Sequence, residues 1–172
     1  MALTRINNNS LSNVTSAGLP SGAVVNVYRY EHEVTAVQTF ATTTFTDFVG
    51  LSSVSYTPLA TGNKLIIDYR IPLRAYANAT QGDVQYYVRG LVDGTELIQL
   101  QFSGDNLGKL GDSIWLPQQM NFTAEYTTTS TSAVTISAQG RSGVHATNNN
   151  LQVPYFSNNR HYHQVVVTEV AG

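Results

Sequence analysis

The residues of this sequence with the spacing of a metal site are two histidines near its carboxyl end, His161 and His163. They lie two positions apart at the start of an apolar run, and a strand would point both imidazoles to the same side. A zinc site takes three or four ligands, and further ligands are not evident nearby. Since surface histidines explain the pair more simply, we expect no metal and no cofactor.

The Gly-rich segment GDNLGKLGD carries the other set of possible ligands, Asp105, Asn106 and Asp112. Their oxygens could hold calcium, but the spacing is not that of an EF-hand loop, and a Gly/Asp turn explains the segment better. The sequence contains no G-x-S-x-G, P-loop or H-E-x-x-H motif. We therefore expect a non-enzymatic protein with no catalytic residues.

A third group combines aromatic rings with hydrogen-bonding side chains near the end of the chain: Tyr155, Phe156, Asn158, Asn159, Arg160 and His161. Amphipathic aromatic residues are enriched at interfaces. This segment is accordingly a candidate contact for a partner or a sugar. Most other aromatic residues fall in strand-like runs, where they suit a core.

Composition narrows the classes of protein. The 172 residues suit one domain, and charged residues make up 12%, about half the usual share. The net charge of −2 and the lack of a basic run argue against nucleic acid. No apolar run approaches the roughly 20 residues that span a bilayer, and no signal peptide is evident. We expect a soluble protein that does not insert into membranes.

The clearest structural element is a hairpin over Val84–Phe102. Two runs with apolar residues at every second position flank Asp93-Gly94, the dipeptide of a type I′ turn. A lone hairpin is marginal in water, so more sheet must cover its apolar face.

The rest of the chain supplies that cover, with about nine or ten strand-like runs and no convincing helical period. Pro72 marks a strand end or edge, Pro117 breaks a run, and residues 140–160 form a loop. The pattern predicts an all-β, antiparallel β-sandwich over residues 22–172. The predicted core consists of Val25, Val27, Leu65, Ile67, Tyr69, Val88, Ile98, Leu100, Val134, Ile136, Val165 and Val167.

Residues 1–21 differ from this domain because they are polar and carry only scattered apolar residues. Either they are a disordered leader, or they form an extended N-terminal arm that becomes ordered on a partner. In the second interpretation the anchoring residues are Leu3, Ile6, Leu11, Val14 and Leu19.

The first half and both ends of the chain resemble small structural proteins of tailed bacteriophages, especially marine and cyanophage types. The pattern is carried by Thr46-Asp47, Gly50-Leu51, Thr57-Pro58 and Lys64-Leu65-Ile66. The leader MALTRIN, with a later LPSG, and the ending VTEVAG are similar to the same proteins. Residues 72–160 match only in strand-like character.

A second, fold-level resemblance is to the jelly-roll sandwich of C1q- and tumour-necrosis-factor-like domains. It rests on Leu110-Gly111-Asp112-Ser113-Ile114-Trp115-Leu116 and on the apolar last strand. This resemblance implies a jelly-roll-like topology and a homotrimer.

The two resemblances together imply a virion structural protein, a tail-fibre or head-decoration component that contacts other capsid or tail proteins. A competing interpretation is a glycan-binding adhesin head that uses the loops 103–112 and 140–160. Strands that are apolar on both faces, as at Val165-Val166-Val167, agree with contact to a neighbouring subunit.

Overall fold

The computed structural model describes residues 19–77, 84–104, 114–143, 150–153 and 161–172. These residues form eleven strands: β1 (Val24–Glu33), β2 (Gln38–Phe40), β3 (Thr46–Asp47), β4 (Val54–Tyr56), β5 (Lys64–Ala77), β6 (Val84–Val92), β7 (Thr95–Gly104), β8 (Ile114–Thr127), β9 (Val134–Ser142), β10 (Asn150–Val153) and β11 (Tyr162–Val170).

The strands form two antiparallel sheets that pack against each other. In the six-stranded sheet, β5 pairs with β8 along one side and with β11 and then β10 along the other. Strand β1 pairs with β11, and β2 pairs with β10. The five-stranded sheet has the order β3-β9-β6-β7, and β4 also pairs with β9. The predicted all-β antiparallel sandwich is confirmed.

The core lies between the sheets and follows the two-residue period of the strands. On β11 buried and half-buried residues alternate without exception, and on β5 the buried residues are Leu65, Ile67, Tyr69, Ile71 and Leu73. Nine further core residues come from β6, β8 and β9: Tyr86, Val88, Val92, Met120, Phe122, Ala124, Val134, Ile136 and Ala138. Most of the predicted core is therefore buried as expected.

The hairpin over β6 and β7 is confirmed, including its turn. Asp93 has a φ of 49° and Gly94 a φ of 77°, and a type I′ turn requires positive φ at both central residues. Of its predicted core residues Val88 is buried, whereas Ile98 and Leu100 are only partly buried against the core. Strand β7 is the edge of its sheet, which leaves its side chains less covered.

The predicted inward face of β1 was wrong. Val27 is 60% exposed, and the tyrosines 28 and 30 pack against the core instead. The register with β11 shifts between Val24 and Asn26, so that Val25 is an extra, half-buried residue. Such a bulge reverses the sides to which the following residues point, and the sequence pattern did not reveal it.

Pro117 does not break its strand as predicted, and Pro72 marks a local edge of β5 and not its end. Pro117 lies within β8. Pro72 lies within β5, between the end of the ladder with β11 at Arg70 and the start of the ladder with β10 at Arg74. A residue without an N–H is tolerated where the ladder changes partner.

Residues 140–160 were wrongly predicted to be only loop. Strand β9 continues to Ser142, and the short strand β10 joins β5 to β2. Its four residues, NLQV, are too few to show a period. Within the described residues, no helix is long and apolar enough to cross a membrane.

Candidate functional site

The outer face of the six-stranded sheet presents an ordered set of side chains that the core does not use. Three rows of cross-strand neighbours run from β1 through β11 to β5: Val27–Thr168–Ile66, Arg29–Val166–Asp68 and Glu31–Gln164–Arg70. Val27 is 60% and Val24 58% exposed, and Ile66 and Val166 are half-buried. This face thus combines an apolar row with two charged rows, and we call it the assembly face.

A polar groove borders the assembly face between β5 and β8. Its volume is about 330 Å³, and its lining includes Asp68, Arg70, Asn121 and Thr123. The Thr123 hydroxyl donates a hydrogen bond to Asp68 at 2.5 Å. A groove of this kind can accept a protruding polar side chain or a hydroxyl-rich ligand.

The outer face of the five-stranded sheet carries a stack of aromatic rings and guanidinium groups. The Arg141 guanidinium carbon lies 3.8 Å from the centre of the Tyr87 ring and 4.9 Å from that of Phe45. The Arg89 guanidinium lies 4.0 Å from the same Phe45 ring. Such contacts hold cations by the negative face of the ring.

The two arginines of this stack differ in their hydrogen bonds. Arg89 donates two bonds to Gln139 and pairs with Glu96 at 3.0 Å. Arg141 makes one long bond, 3.4 Å, to the carbonyl of Thr43 and no ion pair with a described carboxylate. Arg141 is therefore the arginine of the two with donors left for a ligand.

Glu169 is a fully buried carboxylate at one end of the sandwich. It accepts hydrogen bonds from the Tyr56 hydroxyl at 2.6 Å, the Asn63 amide at 2.6 Å and the Leu59 backbone N–H at 2.9 Å. Burial, and then the bond to Glu169, raise the pKa of Tyr56 to about 12. Because several donors satisfy the carboxylate, this cluster joins the β4–β5 loop to β11 and is structural.

The cluster brings together parts of the chain that carry the sequence resemblance. Thr57-Pro58 leads into the loop that donates to Glu169, Asn63 precedes Lys64, and Glu169 belongs to the ending VTEVAG. Glu169 and the chain neighbours of the other motif residues therefore fix one end of the fold.

His163 marks the opposite end of the sandwich and is also fully buried. Its Nδ1 donates to the Val49 carbonyl at 2.8 Å, and its Nε2 has no hydrogen-bond partner. Burial lowers the pKa of His163 to about 4; the bond to Val49 opposes this effect, and nearby His32 adds to it. The imidazole is therefore neutral near pH 7.

Packing around His163 is close, and Gly50 makes it possible. Gly50 has a φ of +77°, and a Cβ there would lie 2.0 Å from the His32 ring. The His32 and His163 rings are 6.5 Å apart on paired strands. A cavity of about 160 Å³ adjoins His163, and valines 34, 37, 49 and 153 are among the other residues that line it. Gly50 of the Gly50-Leu51 motif thus has a packing role.

The structure describes two of the predicted contact residues. His161 is half-buried, and its carbonyl accepts a hydrogen bond from the Val34 N–H at 2.8 Å. Leu19 is half-buried just before the turn into β1. The other predicted contact and anchoring residues lie outside the described residues: Tyr155, Phe156, Asn158, Asn159, Arg160, Leu3, Ile6, Leu11 and Val14.

The possible calcium ligands Asp105, Asn106 and Asp112 also lie outside the described residues. In the part of the chain that is described, no three His, Cys, Asp or Glu side chains come together as a metal site. The pair His161 and His163 is not joined there by a third such ligand.

Sequence reasoning anticipated a contact at Val166 but missed the rest of the assembly face, the groove and the Arg141 stack. Each of them depends on which residues become cross-strand neighbours, and Arg141 lies 54 positions after Tyr87 in the chain (141 − 87). The valines at the start of β1 were a usable signal. Val24 and Val27 lie on the same face as Arg29 and Glu31 when the bulge at Val25 is taken into account.

No protein-family model matches this chain, and no curated protein sequence is significantly similar to it. Among solved structures, it is similar to a structure of infectious bursal disease virus strain Gx, with 14% identity, a TM-score of 0.30, and coverage of 85% of this chain and 31% of that one. A mutant VP2 protein of the same virus in derived T=1 particles has 10% identity and a TM-score of 0.31, with coverage of 87% and 37%.

A VP2 subviral particle of that virus is similar at 11% identity and a TM-score of 0.27, with coverage of 87% of this chain and 42% of that chain. This chain thus spans between 31% and 42% of the length of these solved chains. With TM-scores near 0.3, these likenesses are too slight to assign a family.

Proposed function

We propose that this chain is a non-enzymatic structural protein of a virus particle, of the tailed-phage type. In this proposal it is displayed on the particle surface as a tail-fibre or capsid-decoration component. It forms a homo-oligomer, a trimer by the family resemblance, and contacts other virion proteins. The localisation that follows is the virion, after synthesis in the host cytoplasm.

The observation that carries the proposal is the apolar part of the assembly face. Val24 and Val27 are more than half exposed, and they lie on the same sheet face as Ile66 and Val166. Exposed apolar side chains that cluster on one face are typical of a surface that binds another protein. A neighbouring subunit would cover them.

The root of the N-terminal arm supports the same role. The Gly22 N–H donates to the Ala171 carbonyl at 2.8 Å, and the Ala23 N–H donates to Pro20 at 3.0 Å. These bonds fix the point at which residues 1–18 join the sandwich, close to exposed Val24. An arm that starts there is well placed to extend over a neighbour that covers the assembly face.

Deleting residues 2–19 tests the anchoring role. The deletion removes no described strand, so the sandwich should fold and keep a far-UV spectrum dominated by strand. Incorporation into particles should fall to the background level, measured by mass spectrometry of purified particles. A matched substitution away from the assembly face, Arg141→Gln, should leave incorporation unchanged. A truncated chain that incorporates as well as the full chain would exclude the anchoring role.

A second candidate function, a glycan-binding adhesin head, is favoured by the Arg141 stack. Arg141 has unpaired donors beside the Tyr87 ring, and aromatic faces and guanidinium groups both suit a sugar carrying a carboxylate. A glycan-array signal that is lost in Arg141→Gln would favour this function. Deleting residues 140–160 is a poor test, because β10 and the end of β9 lie in that range.

A further inference from the structure

The charges of the assembly face are arranged in opposite order on its two flanking strands. Along β1 the order is Arg29 and then Glu31, whereas their row neighbours on β5 are Asp68 and Arg70. Each charged row therefore has one sign on β1 and the opposite sign on β5, with β11 between them. Arg29 and Glu31 also form an exposed ion pair with each other.

This order makes the face complementary to itself. A two-fold rotation about an axis parallel to β11, lying in the plane of contact, would place β1 of a second copy over β5 and keep every row level with itself. Arg29 of one copy would then face Asp68 of the other, and Glu31 would face Arg70. In such an isologous contact each of these pairs occurs two times, once on each side of the axis.

The uncharged positions obey the same relation. Exposed Val27 would face half-buried Ile66, so that the apolar row meets itself. On the axis Thr168, Val166 and Gln164 would each face the same residue of the second copy. No position of these three rows would place a charge against an apolar residue, whereas in the next row, Val24–Val170–Lys64, the Lys64 ammonium would face Val24.

The shape of the assembly face also agrees with a two-fold contact. Arg29 and Glu31 are exposed on β1, the edge strand of this sheet. The polar groove between β5 and β8 contains Asp68 and Arg70 in its lining. The same rotation would direct the long side chains of β1 toward the groove of the other copy, where their charge partners lie.

We infer that the outer face of the six-stranded sheet binds the same face of a second copy of this chain around a two-fold axis parallel to β11. The inference rests on the proposed function in one respect, since it names the partner of the assembly face. Where the chain forms trimers, this contact links one trimer to the next. The three rows cover a patch only about 15 Å across, so the contact is weak for one pair and gains strength from repetition in a particle.

Charge exchange between two variants tests the inference. In Arg29→Glu alone each of the two Arg29–Asp68 pairs, one on either side of the axis, becomes a pair of carboxylates. In Asp68→Arg alone each becomes a pair of cations, so each variant should associate at least about tenfold more weakly than the unchanged chain. An equimolar mixture restores both opposite-charge pairs and should regain association. Sedimentation velocity between about 10 µM and about 1 mM covers the range expected for a small interface.

A second variant pair, Glu31→Arg with Arg70→Glu, repeats the test on the neighbouring row and guards against a fold defect in the first pair. As a matched control, Gln99→Glu adds a charge to an exposed position on the five-stranded sheet and should leave association unchanged. Far-UV spectra of all variants should match that of the unchanged chain.

Two results would overturn the inference: an unchanged chain that does not associate further up to about 1 mM, or mixtures that associate no better than the single variants. Particle incorporation separates this failure from that of the proposed function. If the unchanged chain is found in particles and the mixtures show no rescue, the two-fold contact is wrong and the structural role stands. A chain that is absent from particles contradicts the structural role itself.

Discussion

Among the described residues, Glu169 is the carboxylate that the fold buries completely. A buried charge is costly unless hydrogen bonds compensate it, and here the Tyr56 hydroxyl, the Asn63 amide and the Leu59 backbone supply them. These donors precede Glu169 by more than 100 positions in the chain. A single glutamate in an apolar strand gave no indication of these partners in the sequence, although its position in β11 alternates correctly for burial.

Replacing Glu169 by glutamine should lower the free energy of unfolding by about 2–3 kcal/mol. The amide keeps the size of the side chain but turns an N–H donor toward groups that are themselves donors. Glu125→Gln is the matched control, because Glu125 pairs with Lys64 on the exposed face of β8, where an ion pair contributes less than about 1 kcal/mol. Urea unfolding at neutral pH measures the free energy of unfolding of both variants and of the unchanged chain. Equal effects of the two substitutions would contradict the structural role of Glu169.

At the scale of the elements, β11 is held at both of its ends. Glu169 joins its carboxyl end to the β4–β5 loop, and His163 joins its amino end to the β3–β4 loop through the Val49 carbonyl. Between these residues β11 pairs with β1 on one side and β5 on the other. This strand is therefore the middle strand of the assembly face, between β1 and β5.

Stability should depend on pH through His163. Its pKa in the folded protein is about 4, whereas a histidine in the unfolded chain titrates near 6.5. As the pH falls below 6.5, the unfolded chain therefore takes up a proton that the folded protein binds only near pH 4. The free energy of unfolding should fall by about 3 kcal/mol over this range.

Urea unfolding at several pH values between 4 and 7 measures this dependence, with His163→Leu as the comparison. The leucine variant loses the bond to Val49 and is less stable at neutral pH, but its stability should change less between pH 6.5 and 4. Equal slopes for the two proteins would show that His163 is not the group responsible.

The sequence predicted the elements with a regular period and missed those without one. The hairpin turn followed from Asp93-Gly94, and the buried side of β5 followed from its alternation. The bulge at Val25 and the four-residue β10 have no local signal, because their position is set by the strands beside them. The need for glycine at position 90 also has no local signal. A Cβ there would lie 2.8 Å from the Tyr69 ring across the core, and only the packed structure shows this contact.

The candidate site was less predictable than the fold. The predicted contact segment and arm fall almost wholly outside the described residues, and the surfaces that the structure does describe are made by pairing of distant strands. The row of Arg29, Val166 and Asp68 joins three strands that are remote in the chain. Sequence reasoning did anticipate the outward apolar position of Val166, from which it predicted contact with a neighbour.

For the whole molecule, the two outer faces suit different partners. The assembly face has exposed valines and self-complementary charges, whereas the opposite face has the Arg141 stack. A particle subunit needs one surface for its neighbours and can present the other to the surroundings. In this arrangement the two proposed roles, structural and glycan-binding, would use opposite sides of one sandwich and would not compete for residues.

The measurement that tests the central claim most directly is the copy number of this chain in purified virus particles, determined by quantitative mass spectrometry and located in a particle reconstruction. We expect a fixed number of copies set by the symmetry of the particle, with density for the sandwich and with its six-stranded sheet turned toward a neighbour. Particles that lack the chain, or that carry it in a small and variable amount, would contradict the proposal that it is a virion structural protein.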